Sequence, residues 1–291
     1  MILYHYCSNE AFLSILKSQS LWASEFSLSN DLLEGKWVKK LVAEACDERA
    51  ITPPRKEYLL AHLDQEIAQT GAAGFCMSEH GDVLSQWRGY ANDGAGVAIG
   101  FESVYFETLT GKAKRESGKL FELKKLEYDV DRQKSAIKNN LAKIFAAFAR
   151  VTMSKPLSST IGSSAIYDMY ESELSRELFG LYLDSYILKN PAFREELEWR
   201  LIAAFPTTRY LRDPAGDPSA YWDLEMMEFR GLRDRIVPFV ELKLDEVEER
   251  AVAEVILGPK NITPPRIVQA ALARYGWGPS IPVKRSAASY R

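Results

Sequence analysis

The sequence predicts an α+β fold, a mixed, split β-sheet around a central cleft with an inserted helical pair. Three observations lead there. Short strand-like runs are interleaved irregularly with helical patterns, which argues against a doubly wound parallel sheet. Residues 131–190 change to long helical periodicity, the pattern of an insertion. Strand patterns then resume towards the end of the chain, so the insertion belongs within one domain spanning 1–291.

The elements follow in order. Residues 2–7 read as a strand, and Ser8 or Asn9 caps a helix whose apolar face is Phe12, Leu13, Ile15 and Leu16. A second strand is expected at 21–24. Asn30-Asp31 offers a cap for a helix carrying Leu32, Trp37, Val38, Leu41 and Val42. Pro53-Pro54 breaks that run before another helix over 55–69. Residues 72–78 form an apolar strand, 82–91 a helical turn, and Asn92-Asp93-Gly94 a turn into a buried strand at 96–101. A strand is expected at 120–128. The inserted helices carry Ile137, Leu141, Ile144, Phe145 and Phe148, then Leu174, Leu178, Leu181 and Tyr182, on either side of a Ser/Gly-rich break at 157–164. Strands at 196–205, 225–230, 236–242 and 253–257 precede a closing helix at 262–275.

Composition bounds the function. The 291 residues are 46% hydrophobic and 26% charged, the balance of an ordinary globular protein. A net charge of −3 argues against a broadly basic nucleic-acid surface. Lys112, Lys114, Arg115, Lys119, Lys124 and Lys125 form one local basic stretch, which reads as a solvated hairpin. Apolar runs are too short to cross a bilayer, and residues 1–20 lack the pattern of a signal peptide, so no membrane partner is expected. Three cysteines, Cys7, Cys46 and Cys76, without a CxxC pair suit free thiols in the cytoplasm. The sequon-like Asn261-Ile262-Thr263 carries no meaning there.

Several motifs can be set aside. The glycines at 94, 96 and 100 miss the GxGxxG spacing and lead into a strand, so they fit a tight turn and not a pyrophosphate loop. SxxK occurs twice, at Ser14–Lys17 and Ser135–Lys138, on ordinary helix patterns. His5, His62 and His80 lack partners at helix-face spacing, so no metal site is expected.

Three features remain. His5 stands in the first strand between Tyr4 and Tyr6, on the face opposite both tyrosines. It is either a core histidine or a neutral imidazole able to donate to a ribose hydroxyl. Residues 84–91 gather Ser85, Gln86, Trp87, Arg88 and Tyr90, with Trp87 and Tyr90 at i, i+3. That is a buried aromatic stripe or a stacking surface with Arg88 or Gln86 near a phosphate or amide. Glu196, Glu198 and Arg200 alternate along an expected strand, placing two carboxylates on one face roughly 7 Å apart. A salt-bridged strand edge accounts for that pattern. So does a carboxylate that holds a ribose 2′-hydroxyl and stabilises an oxocarbenium-like transition state.

In order, LYHYCSNEAFLSIL, LWAS, NDLLEG, GFCMSE, LSQWRGYA, GVAIGF, EELEWRLI and VILGPKN resemble a widespread bacterial family that is an uncharacterised domain of unknown function. Cys7 departs from the threonine expected of that family. The strand histidine, aromatic middle motif and late glutamates also resemble the ADP-ribosyltransferase-like superfamily. That second resemblance implies an enzyme using NAD as substrate, with His5, Glu198 and Glu196 catalytic and Glu198 the principal carboxylate. It implies that His5 touches the NAD ribose, and that Tyr6, Ser78, Trp87, Arg88 and Tyr90 line the nucleotide site, with Trp87 or Tyr90 stacking on nicotinamide. The acceptor of ADP-ribose would be a protein or a nucleic acid, and a toxin or phage-defence role would suit such an enzyme. Residues 131–190 lie outside the superfamily's minimal core. Two other functions fit the same residues: a non-catalytic nucleotide- or partner-sensing module, and a nuclease or phosphotransferase acting on nucleic acid.

Overall fold

The computed structural model describes residues 1–26, 37–117, 121–154, 173–178, 180–181, 184–206, 227–231, 234–244, 251–278 and 280–290. Its strands are β1 (Ile2–Cys7), β2 (Ser20–Glu25), β3 (Thr70–Ser78), β4 (Val97–Glu102), β5 (Phe121–Lys125), β6 (Glu198–Pro206), β7 (Met227–Gly231), β8 (Ile236–Lys243), β9 (Val252–Leu257) and β10 (Val283–Arg285). Its helices are α1 (Asn9–Ser18), α2 (Trp37–Glu48), α3 (Pro53–Gln69), α4 (Leu84–Tyr90), α5 (Ser103–Ser117), α6 (Val130–Ser154) and α7 (Pro265–Arg274). The fold is α+β around an open, mixed sheet ordered β10-β9-β4-β1-β3-β2-β8-β7, with β6 on β3 and β5 on β6. Only the β9–β10 pairing is parallel among the described strands.

The sheet divides at β3. One edge of β3 pairs with β6 along its whole length, from Thr70↔Pro206 to Ser78↔Glu198. The other edge is shared, with β2 paired at Ser24↔Gly74 and Glu25↔Ala73 and β1 at Tyr4↔Ser78. Between those pairings the β1 and β2 branches part, and residues 75–77 face a fork.

Hydrophobic burial accounts for both layers of packing. Leu3, Leu16, Leu21, Phe75, Ile99, Phe101, Leu201 and Leu272 belong to the main core, where α1, α5 and α7 pack against the sheet. A second core joins Leu41 and Leu63 to Ile137, Ile144, Leu174 and Leu178, so α6 and the helical residues 173–178 pack on α2 and α3. The first turns are locally encoded. Ser8 Oγ accepts from Ala11 N (3.2 Å) to cap α1. The turn before β4 uses left-handed backbone at Asn92, Asp93 and Gly94, and a Cβ on Gly96 would lie 2.1 Å from the Cys7 carbonyl oxygen. No helix among the described residues is long and apolar enough to cross a membrane.

Some expectations change. The late strand begins at Glu198 and not at 196, because residues Pro191–Glu196 form a 3₁₀ helix and Leu197 turns left-handed, φ 43°. Helix α5 escaped the sequence reading, its pattern weakened by Thr108, Thr110 and Gly111, and the basic stretch runs from α5 into β5 and is not a hairpin. The side chains of 112–120 lie outside the described residues. So do the Asn30-Asp31 cap, the 157–164 break and Tyr182. The closing helix is shorter than expected because Pro264 and Pro265 set its start.

Candidate functional site

The kink at Leu197 builds the site. Asn190 Oδ1 accepts from Ala192 N (3.0 Å) to start the 3₁₀ helix, and Leu197 turns the chain into β6. Glu196 and Glu198 therefore bracket a bend, and both return to one cation. Lys189 Nζ lies 2.5 Å from Glu196 Oε2 and 2.5 Å from Glu198 Oε2. The backbone of Lys189 is anchored in turn: its carbonyl accepts from Gln133 Nε2 (2.7 Å) and its N–H donates to the Glu127 carbonyl (3.1 Å). Arg200 closes the other side of Glu198, Nε donating to Oε1 at 2.7 Å, while Nη1 donates to the Tyr186 carbonyl. Ser78 donates to the Glu196 carbonyl (2.7 Å), and Tyr128 Oη accepts from Glu198 N (3.1 Å). From α4, Tyr90 Oη donates to Glu196 Oε1 at 3.2 Å.

The two glutamates have different electrostatic surroundings. Burial alone would raise the Glu198 carboxyl, but Arg200 and Lys189 outweigh it and hold the pKa down at about 2. At Glu196 burial prevails over Lys189, and the pKa is raised. Burial likewise works against the Lys189 ammonium, yet the two carboxylates raise its pKa. Lys189, Glu196, Glu198 and Arg200 are all buried, whereas Tyr90 is 46% exposed and links the cluster to the surface. A fixed anion beside a carboxyl of raised pKa is an arrangement suited to acid–base or charge-stabilising chemistry.

Of the residues singled out in the sequence, the structure gathers Ser78, Tyr90, Glu196, Glu198 and Arg200. Trp87 is fully buried, edge-on to Tyr6 (centroids 4.8 Å), with Nε1 donating to Asp82 Oδ1 (2.7 Å). It is a core residue here, not a stacking platform, because the apolar face of α4 turns inward. Tyr6 is buried too, donating to the His80 carbonyl (2.7 Å) and accepting from Val83 N (3.0 Å). Arg88 is exposed, its guanidinium 5.7 Å from the Tyr290 ring.

His5 is not brought to the glutamates. Tyr4 pairs with Ser78 and Ser78 with Glu198, so strand alternation sets Tyr4, Ser78 and Glu198 on one face of the sheet. His5 belongs to the opposite register with Leu3 and Cys7. Its ring stacks on Phe75 (4.1 Å) and its Nδ1–H donates to the Cys76 carbonyl (2.8 Å). The expected donation from His5 to a ribose hydroxyl is thus corrected for Nδ1, whose hydrogen is already committed.

Lys189 and Tyr128 were missed by sequence reasoning. The one local signal for Lys189 is the Asn190-Pro191 start of the 3₁₀ turn, which brings a lysine back over a glutamate seven residues later. Among the described residues no group of three or more His, Cys, Asp or Glu side chains is placed to hold a metal ion.

Residues 86–201 match the model of a family described as a protein of unknown function (DUF2971). The matched segment, less than half the chain, runs from α4 into β6 and contains Tyr90, Lys189, Glu196, Glu198 and Arg200, but neither His5 nor Ser78. No curated protein and no solved structure matches the chain. The family description states no activity, so the resemblance to ADP-ribosyltransferases draws nothing from it.

Proposed function

We propose that the chain cleaves the nicotinamide–ribose bond of NAD, transferring ADP-ribose to an acceptor or to water, with Glu196 beside the reacting sugar. The observation that supports this reading is the pair of buried glutamates on one lysine with opposite pKa shifts, opening to the surface through Tyr90. As the C–N bond breaks, its electron pair passes to the nicotinamide nitrogen and positive charge builds on the sugar. The Glu196 carboxylate stabilises that charge more than it stabilises bound NAD. The incoming acceptor hydroxyl, or water, forms the new C–O bond and loses its proton to Glu196, a role its raised pKa favours. Glu198 acts through others: it fixes Lys189 and Arg200, and so the position of Glu196. Release of nicotinamide by the purified protein, with protein and nucleic-acid acceptors supplied, tests the proposal.

A second reading has its own support. The cluster's charges cancel, Lys189 and Arg200 against Glu196 and Glu198, and such a closed network also serves a non-catalytic nucleotide- or partner-sensing module. Binding of NAD without nicotinamide release under any acceptor favours that module.

A further inference from the structure

The sheet face that bears Glu198 continues, by strand register, to β7. On β3, Gly74, Cys76 and Ser78 alternate to one side, paired with Ile202, Arg200 and Glu198 of β6. Ser24 pairs with Gly74 and with Phe239, and Arg230 pairs with Val237, so Ser24, Phe239, Val237 and Arg230 lie on that same side. Phe26 joins the two parts: a Cβ on Gly74 would lie 1.9 Å from its ring, and the Arg200 guanidinium is 4.7 Å from the same ring. Cys76 stands between them and is exposed, whereas Cys7 and Cys46 are buried. His5 belongs to the opposite face and takes no part.

Arg230 reaches over this face from β7, which lies two strands from β2. Its Nη2 donates to Ser24 Oγ (2.8 Å), and its guanidinium sits 5.8 Å from the Trp22 ring, itself stacked on Phe239 at 4.4 Å. No carboxylate among the described residues stabilises this cation: burial is the one influence on it, and it lowers the pKa. Its Nε is buried and has no hydrogen-bond partner among the described residues. An arginine stays charged in proteins, and a buried donor left unpaired is costly, so such a group is suited to receiving an anion. A planar guanidinium fork matches the oxygens of a phosphoryl group. Two strand spacings, and the stretch of β3 from Gly74 to Ser78, separate Ser24 from Glu198, roughly 16 Å of backbone distance. That gap suits an extended dinucleotide, its nicotinamide ribose at the glutamates and its phosphates towards Arg230.

We propose that Arg230 and the Ser24 hydroxyl form the subsite for the pyrophosphate of NAD, the dinucleotide passing over Cys76 on its way to Glu196. The choice of NAD rests on the glycosyl-transfer reading, whereas the oxyanion subsite rests on Arg230. Ser24 contributes twice, accepting from Arg230 and turning its own hydrogen to a phosphoryl oxygen. Nicotinamide riboside carries no phosphate and forgoes the subsite, so Arg230 is what separates the dinucleotide from its nucleoside.

Calorimetric titration of the full chain with NAD, inorganic pyrophosphate and nicotinamide riboside tests the subsite. NAD is expected to bind more tightly than either fragment. Arg230→Gln weakens NAD and pyrophosphate by about tenfold or more, the equivalent of one charge-assisted hydrogen bond, and leaves nicotinamide riboside unchanged. Ser24→Ala reads the same subsite should Arg230→Gln fail to fold, and is expected to weaken the same two ligands. Saturating NAD is also expected to slow alkylation of the exposed Cys76 thiol in the wild type. NAD that binds through Arg230 without releasing nicotinamide removes the enzymatic reading and keeps the subsite, so the two proposals fail separately. An affinity for NAD no greater than for nicotinamide riboside overturns the subsite. So does wild-type binding of NAD and pyrophosphate in both Arg230→Gln and Ser24→Ala, or alkylation of Cys76 that NAD leaves unchanged.

Discussion

Tyr90 donates to Glu196 Oε1 across 3.2 Å, although 106 positions separate the two residues. The contact joins the exposed end of α4 to the buried cluster at the start of β6. It also gives Glu196 its route to the surface, for Tyr90 is the exposed member of the pair. Tyr90→Phe keeps the ring and removes the donor. NAD turnover is predicted to fall about tenfold, the equivalent of one hydrogen bond to a carboxylate at about 1.4 kcal/mol. Thermal melting should stay close to wild type. Initial rates and melting of the same preparation check this.

Trp87 anchors the opposite face of α4. Its indole donates to Asp82 Oδ1, and Asp82 also accepts from Ser286 Oγ and from Ala287 N (2.7 Å), tying α4 to the segment after β10. Trp87→Ala is predicted to cost about 3–5 kcal/mol of stability through the cavity it leaves. Asp82→Asn should cost less, about 1–2 kcal/mol, by weakening charge-assisted bonds. Urea unfolding measures both. An unchanged Trp87→Ala midpoint contradicts the core assignment.

Lys189 neutralises two buried carboxylates at once. Lys189→Met fills similar volume but leaves those anions facing each other, and a destabilisation of about 3–5 kcal/mol is predicted. Combining it with Glu196→Gln should recover part of the loss, because one charge is removed. Chemical denaturation of the single and double variants reads the coupling.

Acid should unfold the protein in two stages. His5 is held neutral, with a pKa of about 4 against the usual 6.5. Its contribution is therefore complete above pH 6.5 and drains as pH falls towards 4. Glu198, held at about 2 against 4.5, contributes fully above pH 4.5 and loses that contribution towards pH 2. Glu196 is shifted the other way, so acid relieves it and offsets part of the second stage. His5 retains some exposure, which makes its stage the smaller. Urea midpoints measured from pH 7.5 to 3 should begin to fall below pH 6.5 in wild type. In His5→Gln the fall should begin only below about pH 4.5.

The parts of this fold legible in the sequence are those governed by neighbours along the chain. Ser8 capping Phe12, Ile15 and Leu16 is a local pattern, and so is the turn at Asn92-Asp93-Gly94. The fork was anticipated as a split sheet, but its location depends on β1 and β2 sharing one edge of β3, through pairings such as Tyr4↔Ser78 and Ser24↔Gly74 that are distant in sequence. Glu196 and Glu198 were recognised as a pair, yet the alternation that put them on one strand face fails at Leu197. Left-handed backbone is uncommon for leucine and leaves no signature in the sequence. At Trp87 and Tyr90 helical spacing gave two readings. Packing against Tyr6 and Asp82 settled Trp87 as core and left Tyr90 outward. The role of Lys189 depends on a 3₁₀ turn that periodicity does not detect.

In the proposed reaction Glu196 serves the chemistry while Glu198 holds the cluster in place. Nicotinamide release from NAD by wild type, Glu196→Gln and Glu198→Gln tests it most directly. Glu196→Gln is expected to keep its fold and most NAD affinity while release falls about a hundredfold or more, as when a key electrostatic group is removed. Glu198→Gln should lower stability along with activity, because Lys189 and Arg200 lose their shared partner. A wild-type protein that binds NAD and releases no nicotinamide under any acceptor contradicts the enzymatic reading, and undiminished release by Glu196→Gln contradicts the role given to that residue.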